Sequence, residues 1–407
     1  MQKQSWPSTP GNWISECFTD LHIHIGRTIH NRAVKITGSK NLTLSTIIHE
    51  SLHRKGMHMV GIIDCHSPEV QEEIDLLIAR GTLSELADGG LRYEAHHGAL
   101  TVIMGVEIEV HLGKGNAHFL CYFPNRDAIR FFLEWYRTKV TNIHLSTQRL
   151  YGDPQSLLEE TLKHGGVMFP AHAFTPYKSV YGSCVDSLGD HVDLGKIPAI
   201  ELGLSSDSHL ANGVEEIREK TFLTNSDAHS LQKIAREYQN LHIKEATFKE
   251  LVFALWRVDG RGVKANYGLH PQLGKYYRSR CLNCMEIVQD PSVARCPFCG
   301  KEGPKGLVKG VFDRFQEIST CQHKLPPTHR PPYIHQVPLE FVPGVGPGRL
   351  KKLLDAFGTE MNILHHATLE KLEKVAGKEI AKNIDASRKG NLSFSEGGGG
   401  LYGKIHI

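Results

Sequence analysis

The chain has 407 residues, 40% of them hydrophobic, and a formal net charge of +3, a size that predicts two or three domains around a sizeable core. No apolar run reaches the roughly 18 residues of a membrane-spanning helix, and the opening MQKQSWPSTPGNW lacks a basic-then-apolar secretion signal, so no membrane partner and a cytoplasmic location are expected. Charge is uneven: residues 1–260 carry 25 Lys+Arg against 31 Asp+Glu, and residues 261–390 carry 21 against 12. An acidic part able to hold cations is joined to a basic part able to hold a polyanion.

Over residues 1–265 short apolar runs that end in His, Asp or Glu alternate with helix-like stretches. The runs are ECFTDLHIH, MVGIIDCHS, LTVIMGVEIEVH, AHFLCYF, GVMFPAH, IPAIELGL and KTFLTNSDAH; EVQEEIDLLIARGTLSEL and DAIRFFLEWYRTKV are amphipathic. Such alternation predicts an α/β barrel or sheet, with strand-end side chains converging on one mouth. His118 begins its run instead of ending it, so GKGNAH is predicted to turn a hairpin that returns His118 beside Glu107. TFKELVFALWRV (247–258) opens with a Thr-x-x-Glu capping box and predicts the last barrel helix. Beyond it, 266–321 is a cysteine-rich module, 322–338 a stiff Pro-rich linker, 339–390 helical around Gly-rich turns, and 391–407 a flexible Gly-rich tail.

Strand alternation puts Asp20, His22 and His24 of DLHIH on one face, so that two imidazoles can grip one ion. His30, Asp64, His66, Glu107, His118, His172, Asp227 and His229 extend this set to other strand ends. Asp20, Asp186 and Asp193, with Asp190 beside them, are candidates for acid/base work, whereas His49, His53, His58, His96 and His97 fit no ligand position and read as structural. The nine cysteines, four of them in two close pairs, indicate metal binding in a reducing compartment and not a disulfide framework.

The ordered set from residue 20 to 229 resembles the polymerase-and-histidinol-phosphatase (PHP) superfamily of phosphoesterases. The resemblance implies a distorted (β/α)7 barrel with two or three divalent ions (Zn, Mg or Mn). His22, His24, Glu107 and Asp227 would hold the first. Glu107 would bridge to a second ion on His118 and His172, and His30, His229 and either Asp64 or His66 would hold a third. Ions about 3.5–4 Å apart can activate a bridging water near neutral pH and clamp the attacking and leaving oxygens of a phosphodiester.

Cys281-x2-Cys284 and Cys296-x2-Cys299, eleven residues apart, form a four-cysteine ribbon for one structural zinc. Lys275, Tyr276, Tyr277, Arg278 and Arg280 beside it are a basic-aromatic strip able to touch nucleic acid. FVPGVGPGRLKKLLDAFGT resembles a helix-hairpin-helix, in which Gly344, Gly346 and Gly348 let the backbone approach a DNA phosphate and Arg349, Lys351 and Lys352 follow. A degenerate second copy turns at Gly377 and Lys378.

Barrel, ribbon and tandem hairpins, in that order, are similar to the endonuclease Q family of DNA-repair enzymes. That resemblance implies incision of double- or single-stranded DNA on the 5′ side of a deaminated base (uracil, hypoxanthine, xanthine) or an abasic site, leaving 3′-hydroxyl and 5′-phosphate ends. A damaged base would be rotated out of the stack against Phe174, Tyr177 and Tyr181 of loop 173–193. Two other readings stay open, a small-molecule phosphatase and a non-catalytic DNA-binding scaffold, and the sequence names no protein partner.

Overall fold

The computed structural model describes residues 13–290, 293, 295–301, 307–320, 325–398, 401–403 and 405–406. The opening stretch 1–12, parts of the cysteine module (291, 292, 294, 302–306, 321), residues 322–324 of the Pro-rich segment and residues 399, 400, 404 and 407 of the tail lie outside it. Among the described residues no helix is long and apolar enough to cross a membrane.

In chain order β1 (Phe18–Ile23), β2 (Met59–Ile62), β3 (Leu83–Glu85), β4 (Leu91–Ala95), β5 (Gly98–Leu112), β6 (Gly115–Phe123), β7 (Arg149–Leu150), β8 (Val167–Pro170), β9 (Ala199–Glu201), β10 (Thr221–Leu223), β11 (Tyr238–His242) and β12 (Gly262–Gly268) alternate with helices. The helices are α1 (Leu44–His49), α2 (Pro68–Ala79), α3 (Arg126–Tyr136), α4 (Pro154–Lys163), α5 (Ser208–Ala211) and α6 (Phe248–Trp256). Local chemistry sets their starts, and α6 begins at Thr247 as the sequence predicts. Asn125 and Asp153 accept the backbone N–H of Ala128 and Ser156 (both 2.9 Å) at the heads of α3 and α4, which satisfies donors a helix start leaves unpaired. Thr247 caps α6 by accepting from Glu250 N, but Glu250 does not complete the box, because its carboxylate accepts from Lys244 N and Arg261.

Strands β12, β11, β1, β2, β5, β6 and β8 are hydrogen-bonded neighbours in that order. The β9–β10 pair fills the remaining gap: Ala173 N donates to Glu201 O (2.8 Å), and Asn266 Nδ2 to Phe222 O (3.0 Å). This is the expected mixed α/β barrel. It departs from uniform βα repetition because β11 runs antiparallel to β1 and β12, and β6 antiparallel to β5 and β8. The β5–β6 hairpin is the one the sequence predicts. Strand β6 begins at Gly115 and pairs His118 with Glu109.

C-terminal to the barrel come β13 (Arg280–Cys281), β14 (Leu307–Val308), α7 (Val311–Ile318), β15 (Tyr333–His335), α8 (Pro347–Phe357), α9 (Leu369–Ala376), α10 (Lys378–Arg388), β16 (Ser393–Phe394) and β17 (Ile405–His406). The described part of the Pro-rich segment lies along the barrel and does not cross solvent as a free linker. Arg330, buried over the Phe222 ring (3.3 Å), donates to Asn212 Oδ1, Lys220 O and Arg218 O, and β15 joins β12 as a parallel strand. The helical region docks through a buried Lys55–Glu360 ion pair (3.0 Å) and through His365, stacked on Phe18 and bonded to Tyr238 Oη (2.7 Å). The described tail is also tied down, with Gly397 N donating to Gln272 O (2.7 Å) and Gly403 N to Leu273 O (3.0 Å).

Candidate metal centre at the barrel mouth

His22 is the last residue but one of β1 and His24 directly follows the strand, and both side chains are fully buried. Their Nε2 atoms each lie 3.4 Å from Asp227 Oδ1, and 3.4 and 3.5 Å from the two oxygens of Glu107. Neither Nε2 makes a hydrogen bond although both are buried. A buried imidazole nitrogen without a partner is costly, but donors spaced this way suit one cation, since ligand bonds of about 2.0–2.2 Å set neighbouring donors roughly 3 Å apart. The other ring nitrogens are held by carboxylates: His22 Nδ1 by Glu201 (3.0 Å) and His24 Nδ1 by Asp64 (3.0 Å). Such pairing fixes the tautomer that leaves Nε2 free to bind a metal.

A second group adjoins the first. His118 Nδ1 and His172 Nε2 approach Glu107 Oε1 at 3.0 and 3.4 Å and lie 3.3 Å apart, so Glu107 can bridge two ions. Glu109 stands 3.5 Å behind His118 Nε2, and Lys35 Nζ reaches Glu107 Oε2 (3.3 Å) and Thr147 Oγ1 (2.7 Å). His172 and Asp227 have φ of 29° and 47°, a left-handed backbone that costs a non-glycine residue free energy and recurs at functional sites.

The electrostatics fit a cation-binding mouth. Burial alone would raise Glu107 and Asp227, yet His118 and Lys35 hold the first carboxyl well below the usual range, and His22 and His24 do the same for the second. Burial would lower His22, but Glu201 and Asp227 push it well above an ordinary imidazole. Asp64, raised by burial but pulled down by His24, ends at about 2. His229, on the rim, is pushed down to about 4 by burial.

Several expected residues are not brought into these groups. Asp20 is buried outside both groups, accepting the backbone N–H of Ser226 (3.1 Å) and Ala235 (2.9 Å), and burial raises its carboxyl. The β1–β2 register shifts between Asp20 and Ile23, which breaks the alternation that predicts a shared face. Half-exposed His30 points to Glu72 (3.3 Å). His66 Nε2 donates to Leu145 O (2.9 Å), so of the two alternatives it is Asp64 that touches the cluster, behind His24. Asp186 pairs with Arg314, Asp193 accepts from Gly195 N (3.0 Å), and Asp190 is exposed. His229 lies beside the centre, its ring 4.6 Å from that of His24.

The mouth opens into a cleft of about 490 Å³, lined among others by Lys35, Tyr177, Lys178, Lys275, Tyr276 and Tyr402. Half-exposed Tyr177 meets Tyr276 edge-on (5.6 Å). Phe174 and Tyr181, expected in the wall, are core residues instead: they stack on each other, and Phe315 of α7 packs against Phe174 (4.4 Å). Of the basic-aromatic strip, Lys275 and Tyr276 reach the cleft, whereas Tyr277 is buried and Arg278 faces Asp313 and Glu396. The sequence reading missed Lys35, Glu109, Thr147, Glu201 and Tyr402. Glu201 ends the run IPAIEL, a signal equal to those that were read.

The four thiols of Cys281, Cys284, Cys296 and Cys299 lie within 4.8 Å of one another. The Cys281–Cys299 and Cys284–Cys296 sulfurs are 3.6 Å apart, near the roughly 3.8 Å edge of a tetrahedron with about 2.3 Å Zn–S bonds. In the helical region Gly346 caps α8, which contains Gly348, Arg349, Lys351 and Lys352, and Gly377 (φ 88°) caps α10 ahead of exposed Lys378. A Cβ at Gly346, Gly348 or Gly377 would meet nothing within 4 Å, whereas one at Gly344 (φ 86°) would press on Ile380. Two helix N-termini thus stand open to an anion.

No family model matches the chain. It is 45% identical over 395 residues to the uncharacterized protein YqxK of Bacillus subtilis, covering 96% of this chain and all of that one. It is 33% identical over 257 residues to an uncharacterized protein of Methanocaldococcus jannaschii, of which it spans 31%. The crystal structure of the lesion-specific endonuclease PfuEndoQ from Pyrococcus furiosus superimposes with a TM-score of 0.81 and 31% identity, over 96% of this chain and 95% of that one. An endonuclease Q crystallised with a 27-mer duplex substrate, an abasic lesion at its active site, matches with a TM-score of 0.80 and 31% identity over 96% of both chains. With likeness in sequence and fold running from end to end, the chain belongs to the endonuclease Q family.

Proposed function

We propose that this protein is a DNA-repair endonuclease that hydrolyses the phosphodiester 5′ to a deaminated base or an abasic site, in double- and single-stranded DNA. The observation that carries the reading is the convergence of two buried, unpartnered Nε2 atoms with Glu107 and Asp227 at the floor of a cleft walled by tyrosines and lysines. Divalent ions bound there would supply an activated water and neutralise the scissile phosphate. Two ion positions are supported, one on His22, His24, Glu107 and Asp227 and one on Glu107, His118 and His172. A third on His30 has no geometric support.

The chain's own residues do the rest. Glu201 and Asp64 hold the imidazoles in the ligating tautomer. Lys35, Lys178 and Lys275 place positive charge along the cleft for the backbone. Tyr177, Tyr276 and Tyr402 offer faces and edges to a nucleotide rotated out of the stack. The open N-termini of α8 and α10 would take flanking phosphates, and a structural zinc would hold the ribbon that follows Tyr276 in the chain. None of the eight described cysteines is in a disulfide, and a reducing, cytoplasmic setting accords with their use as zinc ligands and buried thiols.

A phosphatase independent of residues 266–407 fits less well, because Lys275, Tyr276 and Tyr402 belong to the cleft itself. A scaffold that only stores metal gives no reason for the cleft above it. The test uses end-labelled duplexes and single strands, each holding one uracil, hypoxanthine or abasic site, with and without EDTA. Incision 5′ to the lesion, abolished by EDTA, is expected, and replacing Tyr177 and Tyr276 with Ala should narrow the preference for lesions. Equal cutting of undamaged DNA would overturn the reading.

A further inference from the structure

The loop between β1 and α1 has a composition unlike the rest of the barrel. Residues 24–43 contain Arg27, Arg32, Lys35 and Lys40 and no Asp or Glu. At its tip Ile36 is 75% exposed, between Lys35 and Thr37, both of which line the metal cleft. Single exposed apolar side chains are ordinary on protein surfaces; what sets this one apart is its position and its rigidity. Lys35 N donates to Ile25 O (2.9 Å), Val34 N to Gly26 O (3.1 Å), Gly38 N to Lys35 O (2.9 Å) and Ser39 N to His229 O (2.8 Å). The strands of the loop are clamped so closely that a Cβ on Gly26 would stand 2.0 Å from Ser39 O. Val34 is buried below, and the Lys35 side chain is tied to Glu107 and Thr147. A stiff, cationic turn therefore holds a β-branched apolar side chain out from the rim of the cleft.

We propose that Ile36 is a wedge that enters the DNA base stack at the gap left when the damaged nucleotide rotates into the cleft. Its occupant is duplex DNA: the surrounding cations match a polyanion, and the cleft beside it is where the reacting strand must lie. An apolar side chain slipped between base steps replaces lost stacking and keeps the duplex from reclosing. Rigidity matters here, because a floppy tip would lose ordering entropy on insertion. Ile36 acts by positioning, not as a metal ligand. The inference rests on the lesion-endonuclease reading and narrows it to a requirement that applies to paired substrates only.

The test compares Ile36→Ala and Ile36→Asp with Ile36→Leu in the full-length protein loaded with metal. Each is given a duplex with one uracil opposite adenine and the same strand unpaired. The Ala and Asp variants should cut the duplex at least tenfold more slowly and the single strand within twofold of the unaltered protein, while Leu retains both rates. Equal loss on both substrates, or no loss on either, overturns the wedge. A second readout is independent of cutting: 2-aminopurine next to the uracil, in a duplex whose 5′ linkage is a non-hydrolysable methylphosphonate. The unaltered protein should raise its fluorescence at least twofold more than Ile36→Ala, and equal signals overturn the wedge. If these signals differ while no substrate is cut, the proposed activity fails and the wedge stands.

Discussion

The barrel mouth and the four-cysteine module both gather metal-binding side chains, but by opposite means. At the mouth the ligands come from the ends of β1, β8 and β10 and from β5 and β6, and each is backed by core: His22, His24, Asp64 and Glu201 are all buried. In the module the thiols come from two short knuckles, and Cys281, Val288 and Cys296 are the buried centre of its own small cluster. A site built on a finished core exists before its ion arrives and can therefore do chemistry; a site that is most of its own core needs the ion to fold. The contrast separates a catalytic role from a structural one more sharply than donor type does.

The largest effect should come from exchanging the two kinds of damage. Glu107→Gln or Asp227→Asn should lower incision by at least about a thousandfold while thermal unfolding of the barrel shifts by only a few degrees. Cys281→Ser or Cys296→Ser should instead lose one zinc per chain and open residues 276–305 to protease, with the barrel still folded. Metal analysis, limited proteolysis and melting curves on the four proteins decide this, and a cysteine variant that unfolds the barrel as well would break the contrast.

A smaller effect sharpens it. Glu201 contacts His22 and is no candidate ligand, so Glu201→Gln should leave the fold intact and weaken metal binding at the mouth by about 10- to 100-fold, read by metal titration. Unchanged affinity would mean that His22 needs no orienting carboxylate.

The smallest concerns a buried carboxyl, Glu237, on which burial outweighs the pull of the neighbouring Arg236. Among the described residues Glu237 accepts from Leu269 N through Oε1 while its other oxygen has no partner, and burial raises it to about 8. The folded chain thus keeps a proton that the unfolded chain releases near pH 4.3. Its contribution is fully present below that value and is lost as pH rises through 8. The melting temperature should fall from pH 5.5 to 8.5 in the unaltered protein and less steeply in Glu237→Gln. Equal slopes would show that this carboxyl is ionised throughout.

Much of the fold and of the site was legible, and what was missed has identifiable causes. The start of α6 is legible because Thr247 acts on an amide three residues ahead; Asn125 and Asp153 cap α3 and α4 in the same local way and carry a signal of the same kind. His118 was placed beside Glu107 because a Gly-containing turn permits only a hairpin there. Asp20 stands apart from His22 and His24 because a register shift in β1 breaks the period-two pattern, and no residue type in the run marks such a shift. Tyr177 faces the cleft and Tyr181 the core because Phe315, far along the chain, completes the cluster around Phe174 and Tyr181.

What the sequence alone determined are the features whose physics is local. These are the imidazole and carboxylate types at strand ends, the paired cysteines three apart and the glycines at helix starts, because spacing along a strand, knuckle or turn dictates where those groups lie. Tertiary structure alone decided what surrounds the metal centre: that Glu201 and Asp64 stand behind the imidazoles, that Tyr276 and Tyr402 wall the cleft, and that Ile36 stands out from its rim. Each of these depends on segments tens to hundreds of residues apart meeting across a packed core, and no local pattern in the chain encodes such a meeting.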